Sequence, residues 1–258
     1  MTSMEIDFAR LLTPMLFIGL RVSGLVLFAP VLGSAALPAR IKAVLVIAIT
    51  GVLYPALRPQ VMQFNLAHWP LVVLRELGIG IAMGLAANLL FDAVQFAGQV
   101  LSIQMGYSLA SLMDPQTQVE STVMALFQQM IATLVFLEFN VHHALLRAIG
   151  ASFAYLPVGE AKFAVPLAAS LAGLGGMVFV LGLRIAAPVV AATLVADVVI
   201  GLLGKASPQM PLMLLGPALK SLLGAAVLMG AMTYWPDLLQ RGFAQSMTFV
   251  EGLLRLAR

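Results

Sequence analysis

The sequence predicts an all-α integral membrane protein of about six to seven apolar helices. Hydrophobic residues make up 61% of the 258 positions and charged residues only 10%. A soluble domain is closer to half apolar and one quarter charged. Several apolar stretches also reach the ~20 residues that a helix needs to cross a bilayer. These observations place the chain in or against lipid.

Seven stretches are long and apolar enough to be candidate spans, each bounded to within about four residues. In chain order they lie at about 11–32, 41–57, 71–91, 123–139, 167–186, 188–204 and 211–233. The Lys and Arg residues of the connecting loops divide six against five between the two sides, so they predict no orientation.

Pro188 is the residue that predicts a boundary between the fifth and sixth stretches. Residues 167–203 would form roughly 55 Å of continuous helix, which exceeds a ~30 Å hydrocarbon core. Pro188 has no N–H to donate to the Arg184 carbonyl, so we expect a kink or a hairpin there. One long helix, strongly tilted or partly outside lipid, is the alternative.

A stripe of small and polar residues follows the third stretch and continues beyond it. Its members span 26 residues in seven steps, or about 3.7 residues per step, which is close to the helical repeat. Lipid cannot satisfy the amide and carboxyl groups, so the stripe must face protein or water. It either packs inside one helical bundle or lines a channel or subunit seam. The stripe consists of Gly80, Gly84, Asn88, Asp92, Gln95, Gln99, Ser102 and Gly106.

Charged residues also lie inside apolar stretches, where each costs roughly 2.5–3.5 kcal/mol unless it is paired or hydrated. Arg21, Glu138, Arg184 and Asp197 are of this kind. Arg184 and Asp197 are 13 residues apart and lie on opposite faces of a straight helix, so each needs a partner elsewhere. That partner lies either in this chain or in another subunit. The adjacent Arg75 and Glu76 do not face each other and are expected at a span edge.

Neither an enzyme nor a nucleic-acid-binding protein is indicated. "GYSLA" (106–110) lacks the second glycine of a nucleophile elbow, and "GKAS" (204–207) lacks the first glycine of a phosphate loop. The three histidines and the absence of cysteine give no metal set, and no cofactor site is predicted. The net charge of +3 is dispersed, without a basic tract.

Four blocks resemble the FliR family of flagellar export-gate proteins and its SpaR/YscT-type relatives in virulence secretion. They are "RVSGLVLFAPVLGSAALPARIKAVLVIAIT" (21–50), "GQVLSIQMGYSLASLMDPQ" (98–116), "FLEFNVHHALLRAIGASFAYLPVG" (136–159) and "GLLGKASPQMPLMLLGPALK" (201–220). They occur in the family's order and cover the chain almost from end to end. Each block alone is modest, but the series is specific.

The resemblance implies one export-gate domain over residues 1–258, with a FliP-like part at about 1–165 and a FliQ-like hairpin at about 166–258. One such subunit closes a helical ring of FliP-like and FliQ-like subunits in the bacterial inner membrane, within the flagellar basal body. FlhB-like and FlhA-like components adjoin the ring, through which unfolded flagellar proteins pass. The helices would be tilted hairpins packed in this hetero-oligomeric ring, partly above the bilayer, which would explain the missing charge bias.

The resemblance also assigns roles to the polar segment after Gly106 and to several charged residues. Residues 109–116 would form a plug in the closed channel, with turns at Gly106 and Pro115. The plug set is Tyr107, Ser108, Leu109, Leu112, Met113, Asp114 and Pro115. The predicted subunit contacts are Arg21, Arg184, Asp197 and, at the hairpin tip, Lys205, Pro208 and Gln209. A plain proline-rich turn is the alternative for that tip.

Two other classes of function stay open. A secondary transporter of a small solute would contain inverted repeats with broken helices, which the spacing of arginines and prolines does not support. A structural membrane scaffold would share the packing stripe but would need no plug.

Overall fold

The computed structural model describes residues 3–34, 36–61, 69–107, 123–161, 165–207 and 212–256. Over these ranges the chain forms eight α-helices, one 3-10 turn and no strand, which confirms the all-α class. The helices are α1 (Ser3–Phe28), α2 (Ala39–Val61), α3 (Trp69–Gln104), α4 (Val123–Glu138), α5 (Val141–Tyr155), α6 (Val165–Ala206), α7 (Leu212–Ala231) and α8 (Trp235–Leu256). The 3-10 turn, Met232–Tyr234, joins the last two.

Four helical stretches in the described part of the chain are long and apolar enough to cross a membrane. They are Ala39–Leu57, Trp69–Gln104, Ala172–Ala206 and Leu215–Leu256. A fifth arises if α4 and α5, which meet at a bend, form one span. The bend lies at Asn140, whose φ of 53° is left-handed. This chain is therefore a helical membrane protein, as its composition predicts.

The fifth and sixth predicted stretches are one helix, so a hairpin at Pro188 is wrong and the long-helix alternative is correct. Helix α6 runs unbroken through Pro188 for 42 residues, or about 63 Å. Pro188 removes one hydrogen bond from the helix. A chain reversal would instead leave several backbone groups without partners in apolar surroundings, which costs more.

Helix α8 lies outside the predicted spans because it is amphipathic rather than uniformly apolar. Leu239, Phe243, Val250 and Leu253 recur at helical spacing and are buried, while most residues between them are exposed. A search for ~20 consecutive apolar residues passes over such a helix, because only one of its faces covers a core.

The chain divides into two compact units that do not follow chain order. The first contains Met1–Leu89, Asn140–Leu174 and Phe243–Arg258, and the second contains Leu90–Phe139 and Gly175–Gly242. Helices α3, α6 and α8 each contribute to both units. The division near residue 165 into a FliP-like and a FliQ-like part was inferred from the family resemblance and not from contacts, and it stays a prediction.

The core of the first unit forms around the crossing of α1 and α3. Two glycines bring these helices into backbone contact: a Cβ on Gly24 would lie 2.6 Å from the Leu77 carbonyl oxygen, and one on Gly80 would overlap the Arg21 carbonyl. Small residues at a crossing let membrane helices approach closely. The buried side chains around the crossing are Ile18, Val22, Leu25, Ile79, Met83, Ile149, Phe153 and Val250.

The second unit is held together by aromatic and small residues along the second half of α3. The rings of Phe91 and Phe136 meet edge to face with centroids 5.6 Å apart, and those of Phe96 and Phe179 do so at 4.8 Å. Such pairs add about 0.5–1.5 kcal/mol beyond the area that they bury. They attach α4 and α6 to α3.

Candidate functional site

The polar stripe on α3 begins as a packing face inside the first unit. Gly80 and Gly84 are buried against α1. A Cβ on Gly84 would lie 2.8 Å from Phe28 Cβ and 2.9 Å from the Leu25 carbonyl oxygen. At this end the stripe packs two helices of the same chain.

The middle of the stripe lies on the surface of the chain. Asp92 and Gln99 are exposed and Gln95 is half-buried, whereas Ala93 and Ala97 between them are buried. Asn88, one turn before Asp92, is also half-buried. Lipid offers no hydrogen bond to the exposed amide of Gln99, so this part of the face needs water or protein beside it.

The stripe ends in a helix cap at Gly106. The Gly106 N–H donates to the Ile103 carbonyl at 3.1 Å, and the Tyr107 N–H donates to the Ser102 carbonyl at 2.9 Å. Gly106 has a φ of 80°, in the left-handed region. These two bonds and this conformation form a Schellman motif, in which glycine is the favoured residue. The sequence predicted a turn at Gly106, and the structure shows its geometry.

The capped end of α3 packs on α7, a contact that the sequence does not reveal. Ser221 Oγ donates to the Tyr107 hydroxyl at 2.8 Å. A Cβ on Gly106 would lie 3.2 Å from Pro217 Cβ, and a Cβ on Gly224 would lie 2.7 Å from Met105 Cγ. Three points therefore attach the last turn of α3 to one face of α7. We call these contacts the α3–α7 seam.

Of the predicted plug residues, only Tyr107 lies within the described ranges. Ser108, Leu109, Leu112, Met113, Asp114 and Pro115 lie outside them, as do Pro208 and Gln209 of the predicted hairpin tip. Their roles stay predictions.

Arg21 is at the centre of the first unit, so its assignment as a subunit contact is wrong. Its side chain is fully buried and forms an ion pair with Glu76 at 2.7 Å. It also donates to Ser152 Oγ at 2.9 Å and to the Leu156 carbonyl at 3.1 Å. Its guanidinium lies 3.8 Å from the centre of the Phe153 ring. Every direction around this charge is occupied by the same chain.

Glu76 is also fully buried, and the expectation that it marks a span edge stays a prediction. Besides Arg21, its carboxylate accepts a hydrogen bond from the Gly159 N–H at 3.1 Å. Arg75 then donates to the Gly159 carbonyl at 2.6 Å. Two oppositely charged residues in separate apolar stretches were the signal in the sequence. The pairing itself was hidden by the separation of 55 positions between them in the sequence.

All three charged residues of α6 are exposed, and one of them forms an ion pair with a described side chain. Asp197 pairs with Lys220 of α7 at 2.9 Å, so a partner exists within the chain. Arg184 is exposed and forms no ion pair with a described side chain. Lys205 is exposed in the last turn of α6. Contacts of these three residues with other subunits stay predictions.

The described ranges contain no group of three His, Asp or Glu side chains arranged to hold a metal ion. The polar chemistry of the described chain is therefore the surface stripe of α3, the α3–α7 seam and the buried Arg21 network.

Comparisons with known proteins cover most of the chain. The family model described as bacterial export proteins, family 1, matches residues 12–246. The flagellar biosynthetic protein FliR of Escherichia coli K12 is 32% identical over 215 residues, which is 83% of this chain and 82% of that protein. FliR of Bacillus subtilis 168 is 31% identical over 196 residues, covering 73% and 74%.

A relative from another kind of system matches over a similar length. The surface presentation of antigens protein SpaR of Salmonella typhimurium is 29% identical over 220 residues, which is 84% of this chain and 81% of SpaR. The resemblance to the FliR family is thus confirmed over the helices that carry both units, and this chain belongs to the bacterial export proteins of family 1.

Proposed function

We propose that this chain is a subunit of the type III protein export gate of the bacterial flagellum. It resides in the inner membrane as part of the basal body and assembles with FliP-like and FliQ-like subunits. FlhB-like and FlhA-like components lie beside this assembly. Membership in an export family and the two FliR relatives support this function. The gate passes unfolded flagellar proteins.

The exposed polar middle of the α3 stripe is the observation that carries the proposal. Asp92, Gln95 and Gln99 occupy the surface of a helix that is otherwise apolar enough to cross a membrane. Lipid would offer no hydrogen bond to an exposed amide such as that of Gln99. In a gate, the same face borders either the aqueous path of the exported chain or a neighbouring subunit.

The plug of the gate begins directly after this stripe. The segment from Ser108 to Pro115 contains no Lys or Arg, and its Leu and Met side chains can pack in irregular gaps. Its first end is fixed, because Gly106 caps α3 and Tyr107 bonds to α7. A short segment without Lys or Arg that follows a fixed helix end can close a pore and move aside at low cost.

Deletion of the plug tests the proposal in cells. Replacing residues 108–115 by a short Gly linker leaves the α3 stripe and the α3–α7 seam intact, so we expect the complex to assemble and export to continue. The membrane should become leaky to ions and small solutes, which an ion-sensitive dye or solute uptake measures. The variant Arg147→Gln, which changes an exposed residue of α5 and leaves residues 108–115 intact, serves as a control for nonspecific leak. An intact complex without leak, even when another constriction of the gate is weakened, rejects the plug.

A channel face and a subunit seam respond differently to one further pair of substitutions. Gln95→Leu with Gln99→Leu shortens each side chain by one bond and removes its polar amide. If this face lines the path of exported chains, secretion falls while recovery of the complex stays unchanged. If this face packs against a neighbouring subunit, recovery of the complex falls before secretion does. Normal secretion together with normal recovery removes the stripe from the mechanism.

SpaR, at 29% identity, supports a virulence-type secretion gate as the second candidate. Complementation separates the two: restored motility in a flagellar strain that lacks FliR supports the flagellar assignment. Restored secretion only in a strain that lacks SpaR supports the other.

A further inference from the structure

The second unit contains an open cavity that the export function does not explain. Its volume is about 520 Å³, and it lies beside the middle of α6. Arg184 and Pro188 of α6 form one wall, and Val227 and Gly230 of α7 form another. Tyr234, at the end of the 3-10 turn, and Trp235, the first residue of α8, also line it. Apart from Arg184 and the Tyr234 hydroxyl, these walls are apolar.

Arg184 supplies a positive charge in this apolar setting. It is the one charged side chain among the described residues that line the cavity, and no described carboxylate pairs with it. Asp237 of α8 does not line the cavity. Arg241 follows Asp237 by one helical turn, which is the spacing at which two side chains of one helix can interact. A guanidinium within an apolar span is stable only when an anion or water accompanies it.

The cavity also lies at one end of a hairpin whose length matches the hydrocarbon core. From Pro188 to Ala206 α6 has 19 residues, or about 28 Å, and the 20 residues of α7 span about 30 Å. Lys205 marks the opposite end of the hairpin. Tyr234 and Trp235 stand at the cavity end, and these residue types are enriched where lipid headgroups meet the core.

The outward faces of this hairpin suit lipid along its length. Between its two ends, α6 and α7 expose large apolar side chains, and Asp197 and Lys220 neutralise each other. Exposed residues of this kind are Val195, Val198, Leu202 and Leu222. With residues 188–206 placed in the hydrocarbon core, Arg184 would lie at the level of the lipid phosphate groups.

We propose that this cavity binds a membrane phospholipid, with the phosphate on Arg184 and an acyl chain along the apolar wall of Pro188, Val227 and Gly230. Arginine binds phosphate through parallel N–H···O bonds. A carboxylate from a neighbouring subunit could balance the charge, but it would leave the apolar part of the cavity empty. A phospholipid satisfies both parts at once. The site requires neither the plug nor the channel face.

The test measures the phospholipid that remains on the complex after purification. The full chain is co-expressed with its partner subunits, extracted in mild detergent, and analysed by native mass spectrometry and for lipid phosphorus. Arg184→Gln should lower the phospholipid per complex about tenfold, because a charge-assisted contact to phosphate is lost. Arg241→Gln, which removes an exposed arginine of α8 outside the cavity, should leave it unchanged. Equal phospholipid in the Arg184→Gln and Arg241→Gln complexes overturns the proposal.

A second variant keeps the charge and fills the space. A Cβ on Gly230 would meet nothing within 4 Å, so Gly230→Leu can project into the cavity without a clash at its base. The phospholipid should again be lost while the complex stays intact. If Gly230→Leu retains the lipid, the cavity is not its site. If Arg184→Gln reduces recovery of the complex but not the lipid on the complex that remains, Arg184 binds a subunit carboxylate and the proposal is wrong.

Discussion

At the scale of single residues, the buried Arg21 network controls the stability of the first unit. The Arg21 and Glu76 side chains have no solvent exposure. Arg21 also donates to Ser152 of α5 and to the carbonyl of Leu156, directly after α5. Glu76 accepts a hydrogen bond from the Gly159 N–H, beyond the end of α5. A buried ion pair of this kind contributes little relative to an apolar replacement. Removing one partner is costly, however, because the other charge is then stranded. The network therefore fixes how α1, α3 and α5 fit together.

We expect Arg21→Leu to destabilise the chain by about 3–5 kcal/mol, and Glu76→Leu by a similar amount. The double variant should be less destabilised than either single variant, since no buried charge is left. Protein level and the midpoint of thermal unfolding of the purified complex measure this. Arg147→Leu, an exposed arginine of α5, should change neither. Additive losses in the double variant would contradict the coupling.

At the scale of elements, α3 connects the features that a gate needs. One helix of 36 residues, about 54 Å, carries the glycine crossing, the exposed polar face and the capped end. The Schellman motif and the α3–α7 seam hold the last turn of α3. If the proposed plug moves, its hinge is therefore expected after Tyr107.

A disulfide across the α3–α7 seam tests the position of this hinge. The Cβ of residue 224 would lie 2.7 Å from Met105 Cγ, so Met105→Cys with Gly224→Cys brings two sulfurs within bonding reach. The chain has no native cysteine, so no other pair within it can form. We expect export to continue after oxidation, with each single-cysteine variant as control. Export that stops on oxidation and returns on reduction would show that the seam itself must open.

At the scale of the whole molecule, the chain exposes apolar surface that calls for partners. Helix α2 is apolar yet mostly exposed, with Ile41, Val44, Ile47 and Val52 each more than half accessible. Contiguous apolar surface of this kind binds lipid or another protein. The polar face of α3 adds groups that lipid cannot satisfy. Together these surfaces fit a subunit that is complete only in an assembly.

We therefore expect the chain expressed alone to aggregate or to be degraded. Co-expressed with FliP-like and FliQ-like subunits, it should elute as one defined complex on size-exclusion chromatography in mild detergent. Co-expression with an unrelated inner-membrane protein controls for a general effect on membrane insertion. A stable, monodisperse monomer in mild detergent would argue strongly against the gate.

Much of the fold follows from local physical chemistry. Apolar length and composition determine the membrane class and the approximate positions of α2, α3, α4 and α7, since a helix needs ~20 apolar residues to cross a bilayer. The helical repeat places Asp92 and Gln99 on the same face as Gly80. The turn at Gly106 follows from the freedom of glycine to adopt a left-handed φ. These features need only neighbouring residues.

Other features depended on contacts between distant parts of the chain. The sequence by itself determined an all-α membrane protein with a polar stripe, and four blocks indicated its family. Only the tertiary structure decided that Arg21 pairs with Glu76, that Asp197 pairs with Lys220, and that α6 continues through Pro188. It also decided that the stripe is buried at Gly84 and exposed at Gln99. The physical reason is that the energy of a buried charge or a polar face depends on what lies opposite it, and periodicity along one helix carries no information about the facing element.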